Sequence, residues 1–351
     1  MTDVESPIRV INASAPIRIC DNGSWTDTWF AGHGQVFNVA VSPLVEVEVA
    51  TYPARRGAAR VLLHPMNLGE SYEVRHEAAP WGPHPLLEAT IASMKVPPDL
   101  RLEVTIHSEA PPGAGTGTSA AVTVALIGAL DALAPGRLTP DEVAAAALRV
   151  ETGMLGRQCG VQDQLASAHG GINFIDMRAY PRAVVSPVEV ADQVLSEFER
   201  RLLLIYLGKS HDSSAIHEAV IRSLEDAGPN SPAIAELRSK APRSRDALVA
   251  GDFDELGRVM IESTEAQGRL HPALVGTEAR QAIEIAKARG ALGWKVNGAG
   301  GEGGSLTLLC GEDAPRQRAL VREIEQASAA FRNIPLRLSR HGLRVWGDNL
   351  P

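Results

Sequence analysis

Apolar and polar positions alternate through the first part of the chain, the period of a half-buried strand. Residues 16–19, 35–41 and 44–51 carry β-branched side chains in that alternation. The pattern continues at 72–76 and 102–106, where Leu102, Val104 and Ile106 share one face. The period then lengthens to that of a helix. Residues 119–133 are rich in Ala, Val and Leu and predict a helix ending near Pro135-Gly136. Thr139, Pro140, Asp141 and Glu142 form a capping box with Pro at the first helical position, so a second helix starts there and runs to about Gly156. Residues 171–177 predict a short strand.

The rest of the chain mixes fewer strands with more helices. Residues 202–206 predict an apolar strand, and helices follow at 213–225, 234–249, 253–267 and 277–289, with Gly290 as a stop signal. Strands at 294–296 and 305–309 enclose a Gly-rich loop. A helix at 314–331 and strands at 335–338 and 343–346 close the chain. A boundary within 189–201 divides it into two domains, 1–195 and 196–351. Helices beside a few strands, without regular βαβ alternation, predict the α+β class.

Composition narrows the function. The length, 351 residues, suits two domains, and 44 % hydrophobic with 22 % charged residues excludes general disorder. Aromatic residues are only 4 %, so the core rests on Ala, Val, Leu and Ile. A net charge of -8 has the wrong sign for coating nucleic acid, and a polyanion would need a local positive field. Cys20, Cys159 and Cys310 are too dispersed for a zinc site. Their odd, sparse count implies reduced thiols and a cytoplasmic setting. The N-terminus lacks the apolar core of a signal peptide, and no run approaches the ~20 apolar residues that span a bilayer. Neither nucleic acid nor membrane is expected as a partner.

Between the strand at 102–106 and the helix at 119–133 lies Pro111-Pro112-Gly113-Ala114-Gly115-Thr116-Gly117-Thr118-Ser119-Ala120-Ala121. Glycines let backbone approach a ligand, and the helix start offers free N–H groups and a positive dipole end. One Gly suffices for a tight connection; three alternating with small hydroxyl residues point to phosphate. No Lys is present for a Walker A loop. Gly115, Gly117 and Ala120 match the dinucleotide pattern, but the following helix leads to another helix rather than to a second strand.

Two carboxylates follow. Glu151 interrupts the apolar stripe of Ala144, Leu148 and Leu155. A carboxylate there is costly unless paired or protonated. Asp163, in Gly160-Val161-Gln162-Asp163-Gln164, opens the next helix, where capping is the commoner role for Asp. A phosphate loop, a hydroxyl and a carboxylate able to hold Mg²⁺, and a second carboxylate able to take a proton are the parts of a kinase site.

Three motifs in order resemble the GHMP kinase superfamily of galactokinase, homoserine, mevalonate and phosphomevalonate kinases. The first is Ala15-Pro16-Ile17-Arg18 with Thr26-Asp27. The second runs from Pro112 to Ala121. The third is Lys295-Val296-Asn297-Gly298-Ala299-Gly300-Gly301-Glu302-Gly303-Gly304. Asp163-Gln164 with Gly170-Gly171-Ile172-Asn173-Phe174-Ile175, and the ending around Gly342 and Val345, are similar to the D-glycero-D-manno-heptose phosphate kinases.

The resemblance implies an N-terminal ATP-binding domain, a C-terminal ferredoxin-like domain and an active site in the cleft between them. ATP and Mg²⁺ are the implied cofactors. The implied substrate is a sugar or sugar phosphate, with the anomeric hydroxyl of D-glycero-D-manno-heptose 7-phosphate as first choice. By position it assigns Pro112, Gly113, Ala114, Gly115, Thr116, Gly117, Thr118 and Ser119 to ATP, and Ser119 and Glu151 to the metal. Asp163 matches the general base and Arg18 the group that neutralises developing charge. Asp27, Trp25, Gly171, Gly298 and Gly300 fall to the sugar, and Lys209 and Arg178 are candidates for a substrate phosphate. A homodimer is left open. Other sugar kinases, of the galactokinase or fucokinase kind, an ATP-dependent decarboxylase and an inactive sugar-binding regulator are the alternatives. Three departures stand out. Thr116 and Thr118 replace the usual Leu and Ser. Cys20-Asp21-Asn22-Gly23-Ser24-Trp25 replaces a Gly-rich run. Glu302 interrupts the third motif and should point outward.

Overall fold

The computed structural model describes residues 6–57, 59–74, 78–134, 137–208, 213–224 and 228–347. The first part contains β1 (Arg9–Asn22), β2 (Gly34–Pro53), β3 (Val61–Pro65), β4 (Tyr72–Val74), α1 (Pro85–Ser93), β5 (Leu100–Ser108), α2 (Thr118–Asp131), α3 (Pro140–Arg149), α4 (Gln162–His169), β6 (Ile172–Ala179) and β7 (Arg182–Pro187). Then come α5 (Asp192–Arg201), β8 (Leu202–Tyr206), α6 (Ser213–Leu224), α7 (Pro232–Arg238), α8 (Lys240–Ala250), α9 (Phe253–Leu270) and α10 (Thr277–Ala288). The chain ends with β9 (Gly293–Val296), β10 (Ser305–Leu309), α11 (Ala314–Ala327), β11 (Arg332–Ile334) and β12 (Arg344–Gly347).

Alternation builds the first sheet, ordered β12-β1-β2-β5-β3-β4 with β6 and β7 continuing from β2. On β2, Val45, Val47 and Val49 are buried while Glu46 and Glu48 are exposed, and on β5 Leu102, Val104 and Ile106 all point into the core. Helix α2 is buried on nearly every side, from Ala120 through Leu130. A helix apolar all round belongs in the middle of a domain, and its N-terminus therefore sits at the base of a cleft rather than on the surface. The second sheet is antiparallel in the order β11-β8-β10-β9. Read as β-α-β-β-α-β, this is the ferredoxin-like arrangement. Leu204 joins the main core and Ile205 a second core on the other face, with Ala282, Val296 and Leu306. The molecule is α+β, as expected.

Several elements differ from the sequence pattern, each for a local reason. The helix expected at 234–249 breaks at Ser239, because Pro242 is accommodated in the first turn of a new helix. The helix expected to reach Gly156 stops at Arg149 and continues as a π turn, Val150–Met154. The strand expected at 335–338 lies instead at Arg332–Ile334, before Pro335, and Leu338 bridges Val41. Helix α11 stops at Ala327, short of residue 331. Elements β3, α1, β7 and α5 carry no strong periodic signal and were not expected. Helix α5 runs across 195/196 with Phe198 in the main core. Strand β12, in the expected second domain, pairs with β1 of the first. Helix α2 stops at Asp131, short of residue 133, and the expected elements reaching His76 and Glu225 end outside the described residues. Among the described residues no helix is long and apolar enough to cross a membrane.

Candidate active site

A cleft of about 800 Å³ opens where β1, the loop before α2, the start of α4 and the loop after β9 converge. Gly117 is the N-cap of α2, with φ +71° and no side-chain cap. Only glycine adopts that conformation without strain. A Cβ there would also lie 3.2 Å from Asp163 Cγ. The two Gly-rich loops meet backbone to backbone: a Cβ on Gly115 would stand 2.8 Å from the Asn297 carbonyl oxygen, and one on Gly298 2.6 Å from that of Gly115.

Arg18 is buried at the end of the first motif. Its Nε donates to Asp163 Oδ1 at 2.8 Å, a guanidinium nitrogen donates to the Gly115 carbonyl, and Asp21 Oδ2 lies 3.7 Å away. Asp163 remains 29 % exposed and faces Gly117 of the glycine-rich loop. It does not cap α4, whose N-cap is Val161 without a side-chain bond. The commoner role for Asp at a helix start is therefore not the one it plays. Glu151 sits in the π turn, only 6 % exposed, and Oε1 accepts from Gln164 Nε2 at 2.9 Å. Burial pushes its carboxyl up, and the Gln164 bond works against that. A π turn of this kind re-aims a side chain that an α-helix would place elsewhere.

Asp27 is buried, and Oδ2 accepts from the Gln162 backbone N–H at 3.0 Å. Burial raises its carboxyl to about 6. Gly160 makes the close approach possible, since a Cβ there would fall 2.1 Å from Asp27 Oδ2. Trp25 lines the cleft and packs with Ala31, Leu237 and Leu274.

The cleft thus collects Arg18, Trp25, Asp27, Pro112, Gly113, Ala114, Gly115, Gly117, Thr118, Ser119, Glu151, Asp163 and Gly298. Three expected contacts are absent from its lining. Thr116 is buried behind the loop, its hydroxyl 3.2 Å from that of Thr118. Gly171 is taken up by the C-terminal segment: its N–H donates to the Ser339 carbonyl at 2.7 Å, and its carbonyl accepts from Ala40. Gly300 lies against the Leu274 carbonyl and Gln267. Arg178 is exposed and paired with Asp176. Lys209 lies outside the described residues. Glu302 is exposed, as expected.

Two groups were missed. Arg157, after the π turn, is exposed, lines the cleft and forms no ion pair among the described residues. Asp21 and Lys295 form a fully buried pair, Nζ to Oδ1 3.3 Å. Their signal was a charge inside each apolar strand pattern, Ile17-Arg18-Ile19-Cys20-Asp21 and Trp294-Lys295-Val296.

Residues 86–171 match the GHMP kinases N terminal domain and residues 244–329 the GHMP kinases C terminal domain. The chain belongs to the GHMP kinase family. A GHMP relative, the bifunctional fucokinase/GDP-fucose pyrophosphorylase of Arabidopsis thaliana, is 25 % identical over 330 residues, 89 % of this chain. The chain spans only 31 % of that protein's length. The D-glycero-alpha-D-manno-heptose 7-phosphate kinase of Campylobacter jejuni is 27 % identical over 68 % of this chain and 69 % of its own. A mevalonate kinase of Thermococcus sibiricus is 30 % identical over 69 % of this chain and 68 % of its own. The crystal structure of a D-glycero-D-manno-heptose 1-phosphate kinase from Bacteriodes thetaiotaomicron has the same fold, with TM-score 0.73 at 20 % identity over 96 % of this chain and 98 % of that one.

Proposed function

We propose that this GHMP family member is a cytoplasmic, ATP- and Mg²⁺-dependent sugar kinase. It transfers the γ-phosphoryl group to a hydroxyl of a sugar or sugar phosphate, with the anomeric hydroxyl of D-glycero-D-manno-heptose 7-phosphate as the first acceptor to test. The observation that carries the reading is the Arg18–Asp163 pair standing across from Gly117, which supports Asp163 as the proton acceptor and the glycine-rich loop as the phosphate site.

The residues present fit both cofactors. The loop 112–119 exposes backbone at a helix N-terminus, where phosphate oxygens accept N–H bonds. Glu151 and Ser119 offer one carboxylate and one hydroxyl to the cleft, the sparse oxygen set that suits Mg²⁺ held mainly by phosphates and water. Mg²⁺ bound there would supply neutralisation of phosphate charge. Asp163 has Oδ1 held by Arg18, so Oδ2 takes the proton of the acceptor hydroxyl. Arg18 fixes the carboxylate's orientation and adds positive charge close to the transferring group. Asp27 orients the acceptor by accepting its hydroxyl hydrogen bonds. In this reading residues 1–195 carry the nucleotide site and 196–351 close the cleft.

A second reading is a kinase for fucose. The similarity to the Arabidopsis enzyme extends over 89 % of this chain, and Trp25, in the segment that departs from the Gly-rich run of the heptose kinases, lines the cleft. A coupled ADP-release assay over heptose 7-phosphate, fucose, galactose and mevalonate, with and without Mg²⁺, separates these readings. Metal-dependent release with one sugar supports a sugar kinase and names its acceptor. Release with mevalonate alone, or with no acceptor, overturns it.

A further inference from the structure

We propose that Asp21 is a positioning residue: through the backbone N–H of Gly298 it holds the third-motif loop against the phosphate loop, with Lys295 as its buried counter-charge. The inference rests on the kinase reading and deepens it.

Three consecutive residues at the end of β1 reach across to the second half of the chain. The Cys20 N–H donates to Asn297 Oδ1 at 3.1 Å, Asp21 Oδ2 accepts from the Gly298 N–H at 2.9 Å, and Asn22 Nδ2 donates to Ser244 Oγ at 2.9 Å. Only the middle contact is charged, and only its partner, Gly298, lines the cleft. Asp21 and Lys295 are both 0 % exposed. Lys295 Nζ further donates to Gln267 Oε1 at 2.9 Å and to the Val296 carbonyl. Gln267 in turn donates to the Gly298 carbonyl at 3.1 Å. The N–H and the carbonyl of Gly298 are therefore both gripped by one network.

Stability alone does not account for this arrangement. A buried ion pair contributes no more than a well-packed apolar replacement of similar volume, because the desolvation cost offsets the attraction. The neutral bonds of Cys20 and Asn22 already join the two halves. A charge-assisted bond is roughly twice as strong as a neutral one. It is placed where Gly298 meets Gly115 with no room for a Cβ, so a small displacement there would change the loop that receives phosphate.

The test compares paired replacements that remove both charges together. Asp21→Asn/Lys295→Met keeps an acceptor for the Gly298 N–H; Asp21→Leu/Lys295→Met removes it. Thermal stability and the Kd for MgATP are measured on both and on the unaltered chain. The Asn pair is expected to bind MgATP within about twofold of the unaltered chain, and the Leu pair about tenfold more weakly at similar Tm, the size of one lost hydrogen bond. Equal MgATP affinity in the two pairs overturns the proposal. If the Leu pair does not fold, Asp21→Ala/Lys295→Met replaces it. If neither apolar pair folds while the Asn pair does, Asp21 is a folding residue and the proposal falls. Failure of the kinase reading shows earlier, in an unaltered chain that neither binds MgATP nor releases ADP.

Discussion

Asp27 and Asp163 are two carboxylates in one cleft with opposite surroundings. Asp163 is partly exposed and held by Arg18, whereas Asp27 is buried with one backbone N–H as partner. Burial lifts Asp27 to about 6, above the ~3.9 of an unfolded chain. A raised acid binds more protons folded than unfolded between those values. The stability it contributes is present below pH ~4 and lost as pH rises through about 6, on the order of 2–3 kcal/mol. Asp27→Asn should therefore lose less Tm than the unaltered chain between pH 4 and 7; parallel Tm curves would remove the argument. Acceptor KM should rise as pH falls from 7 to 5, because a protonated Asp27 accepts sugar hydrogen bonds poorly. Asp163→Asn should lower kcat by about 10²–10⁴ with little change in ATP affinity. Because Asp163 caps nothing, near-normal turnover in that variant would leave it without a role.

At the scale of elements, the junction of loop and helix α2 is the most constrained. Its cap is a glycine at positive φ, and a Cβ there would press on the neighbouring carboxylate at 3.2 Å. A residue with a Cβ pays roughly 1–2 kcal/mol for that backbone alone, and a β-branched one also meets Asp163. Gly117→Val is expected to weaken ATP binding at least about tenfold while sugar affinity, read by calorimetry, stays within a few-fold. The reverse pattern, ATP unchanged and sugar lost, would move the phosphate site elsewhere. The π turn plays the matching part for Glu151. Without it, a continued α3 would keep that carboxylate on the apolar stripe of Ala144 and Leu148, which it interrupts in sequence.

Across the whole molecule, the C-terminus is part of the first sheet. Strand β12 pairs with β1 from Ile11 to Ser14, and Leu343 stands against Gly128 of α2, where a Cβ would lie 2.7 Å from its methyl carbons. The tail thus supports the helix whose N-terminus follows the glycine-rich loop. Removing residues 339–351 should lower Tm by roughly 10 °C, the effect of losing a few kcal/mol in a chain of this size. ATP affinity should fall with it. An unchanged Tm in thermal scanning would show that β12 is dispensable. For the same reason, residues 1–195 expressed alone lack the strand that covers the β1 edge and are expected to aggregate.

Much of the frame was legible in the residues themselves. Alternation at Val45, Val47 and Val49, the capping box at Thr139 and the glycines before α2 act over a few neighbouring positions, so no distant contact was needed to read them. The order of the three motifs indicated the family for the same reason. Other features were decided in three dimensions. Gly171, Gly298 and Gly300 look alike in sequence, yet only Gly298 lines the cleft, because Ser339 and Leu274 claim the surroundings of the other two. From its position alone Asp163 reads first as a helix cap, the commoner role, until Arg18 is placed on it. The Cys20–Asn297 and Asp21–Gly298 contacts join residues 277 positions apart. No periodicity reaches that far: such pairs form only when burying apolar surface brings two sheets together, so that Asp21 meets Lys295 and the Gly298 N–H in one buried network.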